Sequence, residues 1–117
     1  MKARMVKDVA ILCPRGWMMG GKETDDFEAA VRELLEQGNR RLVVDLTDVA
    51  HMNSTALGTI IGLNTAYINR QGKMKLCHLD AKIQNILVVT RLALVFDAYP
   101  TERDAVASFA SEAPTTV

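Results

Sequence analysis

Short apolar runs and helical apolar stripes alternate along this chain from one end to the other. Met5-Val-Lys-Asp-Val-Ala-Ile-Leu-Cys13 reads as one or two strands turning at Lys7-Asp8, and Pro14, Gly16 and Gly20-Gly21 mark a loop after them. Thr24 suits a helix N-cap, with Asp25 and Asp26 in the first turn. Phe27, Val31, Leu34 and Leu35 then recur at i, i+4, i+7 and i+8, a stripe that ends near Gly38. Leu42 to Leu46 is nearly continuous apolar sequence, the pattern of a strand covered on both faces. A short polar turn leads to a second helix, from about Ser54 to Arg70, with Leu57, Ile60, Ile61, Leu63 and Ile68 largely on one side and Gly72 at its end. Met74 to Leu79 reads as the next strand, and Asp80 caps a helix carrying Ile83, Ile86 and Leu87. Leu94-Val95-Phe96 reads as a short strand, and Thr101 with Asp104 opens a last helix bearing Val106 and Phe109. The pattern predicts one domain over residues 1–111 and a flexible tail at 112–117.

Strands alternating with helices through short loops predict an α/β fold: a mixed, mostly parallel sheet of four to five strands with about four α-helices. With 117 residues there is material for one core and no second. Fourteen basic against fourteen acidic side chains give zero formal charge, which argues against nucleic acid or an anionic membrane surface as the main partner. No apolar run approaches a membrane span and no signal peptide is evident, so direct membrane insertion is not expected and the expected location is cytoplasmic. Cys13 and Cys77 lie in separate apolar segments, where paired or buried cysteines look the same. Isolated cysteines of a cytosolic chain most often stay reduced, buried small hydrophobes, and whether these two meet stays open. Cys77 and His78 are neighbours on a strand, which would send them to opposite faces and argues against joint metal ligation. No metal and no cofactor is expected.

One segment imitates a phosphate loop. Gly16-Trp-Met-Met-Gly-Gly-Lys22 fits GxxxxGK between a strand and a helix, but Glu23 stands where Ser or Thr must bind magnesium, and its carboxylate would face the phosphates. The apolar trio Trp17-Met18-Met19 reads equally as a core plug or as an exposed contact patch. Asp45 and Asp48 read as turn-fixing residues rather than catalytic ones. His51 and His78 have no second base or nucleophile at motif spacing, and no pair supports catalysis. Gly58 and Gly62, one helical turn apart, imply close packing of their helix on the sheet or on a partner. Ser54 and Thr55 sit in the first turn of that helix, where residues of this type are ordinary caps and where the free N–H groups also favour an anion.

The segment Val43-Val-Asp-Leu-Thr-Asp-Val-Ala-His-Met-Asn-Ser-Thr-Ala-Leu-Gly58 resembles the signature of STAS-domain anti-sigma-factor antagonists, in which a strand ending in Asp or Asn leads to an Asp-Ser-Ser/Thr-Gly-Leu-Gly helix start. Gly16, the helix near 25–37, Gly72, and Ile86-Leu87 with Arg91-Leu92 and Val95-Phe96 fall in the same order, so the similarity spans about residues 4–110. The resemblance implies a single STAS domain and a non-enzymatic switch in transcription regulation. In it Ser54, with Thr55 as second choice, is phosphorylated by a partner that is both serine kinase and anti-sigma factor. The unmodified form would bind that kinase and release the sigma factor, and a PP2C-type phosphatase would reset the cycle. The implied contact surface combines Trp17, Met18, Met19 and Lys22 with Met52, Asn53, Ser54, Thr55, Ala56, Leu57 and Gly58, and with Asp80, Lys82 and Gln84.

Three departures accompany the likeness. Asn53 replaces the family's Asp before the phosphoacceptor, Ala56 replaces a Gly, and the usual Gly-x-Leu-Asp loop is Gly16-Trp-Met-Met with one residue inserted. Two rival readings follow: a constitutive STAS scaffold or regulatory subunit, of the kind found in stress-sensing or lipid-transport complexes, and a small nucleotidase built on Gly16 to Lys22. Oligomeric state stays open.

Overall fold

The computed structural model describes residues 1–92 and 95–110. In chain order the elements are β1 (Lys2–Val6), β2 (Val9–Cys13), β3 (Gly16–Met18), α1 (Lys22–Glu36), β4 (Arg41–Asp45), β5 (Val49–Met52), α2 (Ser54–Asn69), β6 (Lys73–Cys77), α3 (Ala81–Val89), β7 (Asp97–Tyr99) and α4 (Glu102–Ala110). The main sheet has the order β1-β2-β4-β6-β7, antiparallel between β1 and β2 and parallel elsewhere. The hairpin turns at Lys7, which takes a φ of +56°, as the sequence predicts for Lys7-Asp8.

Strand alternation divides the core. Ala10, Leu12, Leu42, Val44, Met74 and Leu76 face one side and pack against Phe27, Val31 and Leu35 of α1, Leu57, Ile60 and Leu63 of α2, and Ile83 and Leu87 of α3. Val9, Ile11, Val43 and Cys77 face the other side, where α4 supplies Ala105 and Phe109. Lys75 points to that second side and is fully buried. Its ammonium donates to Ser108 Oγ at 2.7 Å and lies 4.2 Å from the Phe109 ring centre, so hydroxyl and π face replace water around the charge.

Several boundaries differ from those the sequence predicts. β3 and β5 form a separate two-stranded parallel sheet where a loop and a polar turn are expected. α1 starts at Lys22 rather than after Thr24. Thr24 is buried inside the first turn, and its Oγ1 accepts from the Gly20 amide at 3.0 Å. On α2 the inward position near the end belongs to Tyr67, which is buried and donates to Asn39 Oδ1 at 2.9 Å, whereas Ile68 is 53% exposed. β6 stops at Cys77, not Leu79. The last strand begins at Asp97: Val95 and Phe96 precede it, with the Phe96 ring buried as a plug, and Leu94 lies outside the described residues, as does the tail 112–117. The caps at Asp80 and Thr101 stand as predicted, accepting from Ile83 N at 2.8 Å and Asp104 N at 3.1 Å.

The glycines sort by space. A Cβ on Gly72 would lie 2.7 Å from the Arg40 carbonyl oxygen, so only glycine lets the chain pass there into β6. Gly58 and Gly62 do not pack on the sheet: both are exposed, with nothing within 4 Å of an added Cβ.

Candidate functional site

The carboxyl ends of the parallel strands form the edge from which α2 and α3 start, the edge where α/β folds gather function. At that edge the small β3–β5 sheet sets Trp17 beside His51 and Met18 beside Met52. Alternation along β3 then decides each side chain. Trp17 faces out at 59% exposure, its ring 4.3 Å from that of His51, while Met18 is fully buried.

Asn53 joins this sheet to α2. Its Oδ1 accepts from Ala56 N at 3.0 Å, which caps the helix, and its Nδ2 donates to the Met19 carbonyl at 2.9 Å. Its own amide donates to the Met18 carbonyl at 3.2 Å. A carboxylate at this position could cap but could not donate, so the amide suits the Trp17 loop of this chain. The loop is held from the other side as well. Gly20, at φ +89°, lets the chain pass where a Cβ would stand 2.8 Å from Thr55 Cγ2, and its N–H is held by Thr24. Because Asn53 does the capping, the exposed hydroxyl of Ser54 has no hydrogen-bond partner among the described residues.

The expected contact residues therefore separate. Trp17, Met19, Lys22, Ser54, Thr55 and Gly58 are exposed, and Met52 and Asn53 are half-buried. Met18, Ala56 and Leu57 are buried in the core, which corrects their expected exposure on a contact surface. Asp80, Lys82 and Gln84 are exposed at the start of α3, on the same strand-end edge, with Gln84 Nε2 donating to the Leu79 carbonyl at 2.9 Å. Nothing in the sequence signals that His51 lies beside Trp17: the two meet only through the β3–β5 pairing, whose register shifts between Gly16 and Trp17.

The GxxxxGK segment does not form a phosphate cradle. Gly16 N–H is bonded to the Asp48 carbonyl and Gly20 N–H to Thr24, while the Lys22 ammonium pairs with Asp26 at 2.8 Å.

A second group lies at the strand ends beneath α4. Asp45 fixes the following turn as predicted: its Oδ1 accepts from Thr47 N at 2.9 Å and from Thr47 Oγ1 at 2.5 Å. Its Oδ2 stands 4.0 Å from His78 Nε2. Cys77 and His78 do not diverge as expected from strand alternation. His78 has left the strand with a φ of +55°, and this left-handed step returns its imidazole to the side of Cys77, so that ligand atoms of Asp45, Cys77 and His78 lie within 4.8 Å of one another. Burial, with the Asp45 carboxylate adding to it, pushes the Cys77 thiol up to about 12. Cys13 aligns with Asp45 from the far side, leaving β4 between the two cysteines. Two strand spacings, about 9.6 Å, exceed the roughly 7 Å that a disulfide can bridge.

Comparison with known proteins agrees with this geometry. The chain is similar to BtrV of Bordetella bronchiseptica (strain RB50), described as a candidate anti-sigma factor antagonist, with 23% identity over 93% of each chain. Among solved structures it is similar to TM1081 of Thermotoga maritima, described in the same terms, with TM-score 0.84, 25% identity and 92% of each chain covered. It shares the fold of the anti-sigma factor antagonist SpoIIAA of Bacillus, solved unphosphorylated and phosphorylated; for the former the TM-score is 0.76, with 13% identity, 95% of this chain and 98% of that one covered. Among the described residues no helix is long and apolar enough to cross a membrane. The profile of the STAS domain matches residues 4–105, and with this strand order and helix arrangement the chain belongs to the STAS domain family.

Proposed function

We propose that this chain is an anti-sigma factor antagonist: a non-enzymatic binding protein whose partner is a serine-kinase anti-sigma factor and whose affinity is switched by phosphorylation of Ser54. One observation carries the reading. Asn53 caps α2 and leaves the Ser54 hydroxyl exposed at the first helical position, so Ser54 has no structural duty there. The names of its relatives support the partner class. In this reading the unmodified domain, residues 1–111, docks through Trp17, Met19, Met52, Ser54, Thr55 and Gly58, with Asp80, Lys82 and Gln84 of the α3 start at the rim, and Lys22 nearby. The phosphoryl group brings about −1.5 to −2 charges into an apolar contact, and a PP2C-type phosphatase removes it. The cycle is cytoplasmic, where transcription is regulated.

The test is capture from native lysate with wild type, Ser54→Ala and Ser54→Asp as baits, read by mass spectrometry, followed by a search for phosphate on Ser54 after incubation with the captured kinase and ATP. A serine kinase held by wild type and Ser54→Ala but not by Ser54→Asp is the expected result. One partner held equally by all three baits sinks the switch. That outcome would favour the constitutive scaffold, a reading supported by Asn53 itself: its neutral amide, tied to Met19, stands where the resemblance implies an Asp.

A further inference from the structure

We propose that Asp45, Cys77 and His78 form a binding site for one divalent metal ion of the zinc class at the carboxyl ends of β4 and β6. These are borderline donors, one carboxylate, one thiol and one imidazole, the set that zinc-class ions accept in sites with three protein ligands and an open position. They come from adjacent parallel strands in register, Asp45 opposite Cys77, so the sheet fixes two of the three without help from a loop. The third is aimed there by the left-handed backbone at His78, a conformation uncommon outside glycine.

Distances fit an ion better than direct bonding. The ligand atoms lie within 4.8 Å of one another, and the Asp45 Oδ2 to His78 Nε2 separation of 4.0 Å is too long for a hydrogen bond. Tetrahedral zinc with bonds of about 2.0–2.3 Å sets its ligands about 3.3–3.8 Å apart, which small side-chain rotations reach from here. The carboxylate is also pre-set. Thr47 holds Oδ1 by an N–H and an O–H, leaving Oδ2 for the ion, the outer-shell arrangement that ligating carboxylates use. On binding, the Cys77 S–H bond breaks as the metal–sulfur bond forms, and one proton leaves to solvent. A dication then meets one thiolate and one carboxylate, so the buried cluster becomes neutral.

Asp45 is shared with a competing group, Cys13 and Glu102, whose ligand atoms are equally close. That group is the weaker candidate because the Glu102 carboxylate is paired with Arg4. His78 has Asp45 as its charged neighbour, and its side chain is 37% exposed, which gives an ion a way in.

The full chain, stripped with chelator, is titrated with Co²⁺, whose thiolate complexes absorb in the near ultraviolet and visible, and then with Zn²⁺ in competition. One equivalent of Co²⁺ is expected to give a thiolate band that Zn²⁺ displaces. Cys77→Ser should remove the band. His78→Asn suits the left-handed backbone and keeps the fold even if Cys77→Ser does not. It should weaken binding by at least the roughly 10–100-fold that loss of an outer-shell partner costs. Cys13→Ser should change neither. No thiolate band in wild type, a band unaltered by His78→Asn, or a band lost in Cys13→Ser while His78→Asn retains it would each overturn the site.

Discussion

Asn53→Ala removes two bonds at once, and their sum can be worked from the structure. The Oδ1 contact to Ala56 N at 3.0 Å is an N-cap, whose replacement by alanine costs about 1 kcal/mol, within a range of about 0.5–2. The Nδ2 bond to the Met19 carbonyl at 2.9 Å adds a net contribution of about 0.5–1.5 kcal/mol. Their loss should destabilise the domain by about 2 kcal/mol. With a denaturant slope of about 1–3 kcal/mol per molar for a small domain in urea, the unfolding midpoint should fall by about 1 M.

Asn53→Asp separates the two bonds. The carboxylate keeps the cap and gains about 0.3–1 kcal/mol from the helix dipole, but loses the donor and faces the Met19 carbonyl oxygen, so it should fall between wild type and Asn53→Ala. Urea unfolding of all three at one pH decides the matter. A shift under about 0.3 M for Asn53→Ala, using the same slope, would mean that the amide joins nothing of consequence. Equal damage from both substitutions would refute the cap.

Gly58→Ala and Gly62→Ala should each stabilise the domain by about 1 kcal/mol, because both positions are exposed in the interior of α2 with open space around them; a loss of stability in either thermal or urea unfolding would contradict this. Tyr67→Phe should cost about 1 kcal/mol at neutral pH through its lost bond to Asn39. Burial raises the Tyr67 phenol well above its usual range, so the folded chain keeps a proton that the unfolded chain releases. The associated stability is whole below about pH 10 and declines as pH rises beyond it; unfolding measured from pH 9 to 11 should therefore show a flatter decline in Tyr67→Phe, and equal slopes would refute the assignment.

The main sheet and its helices were legible because each leaves a periodic trace within a dozen residues. Val43 alternates against Val44, and Phe27, Val31 and Leu35 repeat at helical spacing, so the local pattern and the tertiary environment agree. β3 and β5 left no such trace. Each has three or four residues, and what makes them strands is their pairing with each other across more than thirty positions. That omission carried into the site. Once Gly16–Met18 is a strand, its alternation sends Trp17 out and Met18 in, whereas a loop reading leaves both open. Asn53 was legible as a cap, but its bond to Met19 was not, since it depends on the same distant pairing. His78 was misplaced for a different reason: a φ of +55° after Cys77 breaks the alternation that the neighbouring residues set up. Lys75 is buried against expectation for a lysine because Ser108 and Phe109, its partners, arrive with the last helix.

On the switch reading, the free protein and the complex respond to phosphate on Ser54 in opposite directions. At the first position of α2 a phosphate meets unfilled helix N–H groups and a favourable dipole, worth about 0.3–1 kcal/mol to an exposed anion, while the cap on Asn53 is left untouched. The free domain should thus keep its fold and its stability when phosphorylated. In the complex the same group must be desolvated beside Trp17, 59% exposed in the free chain, and Met19, 43% exposed, with the Lys22 ammonium already committed to Asp26. The effective penalty for burying an unpaired charge is several kcal/mol, and every 1.4 kcal/mol is a factor of ten in affinity, so a loss of about 100-fold or more follows without any rearrangement of the domain. The switch would then reside in the interface rather than in the fold. On that reading, a position without structural duty, next to a residue that holds the helix in place, would be the one to modify.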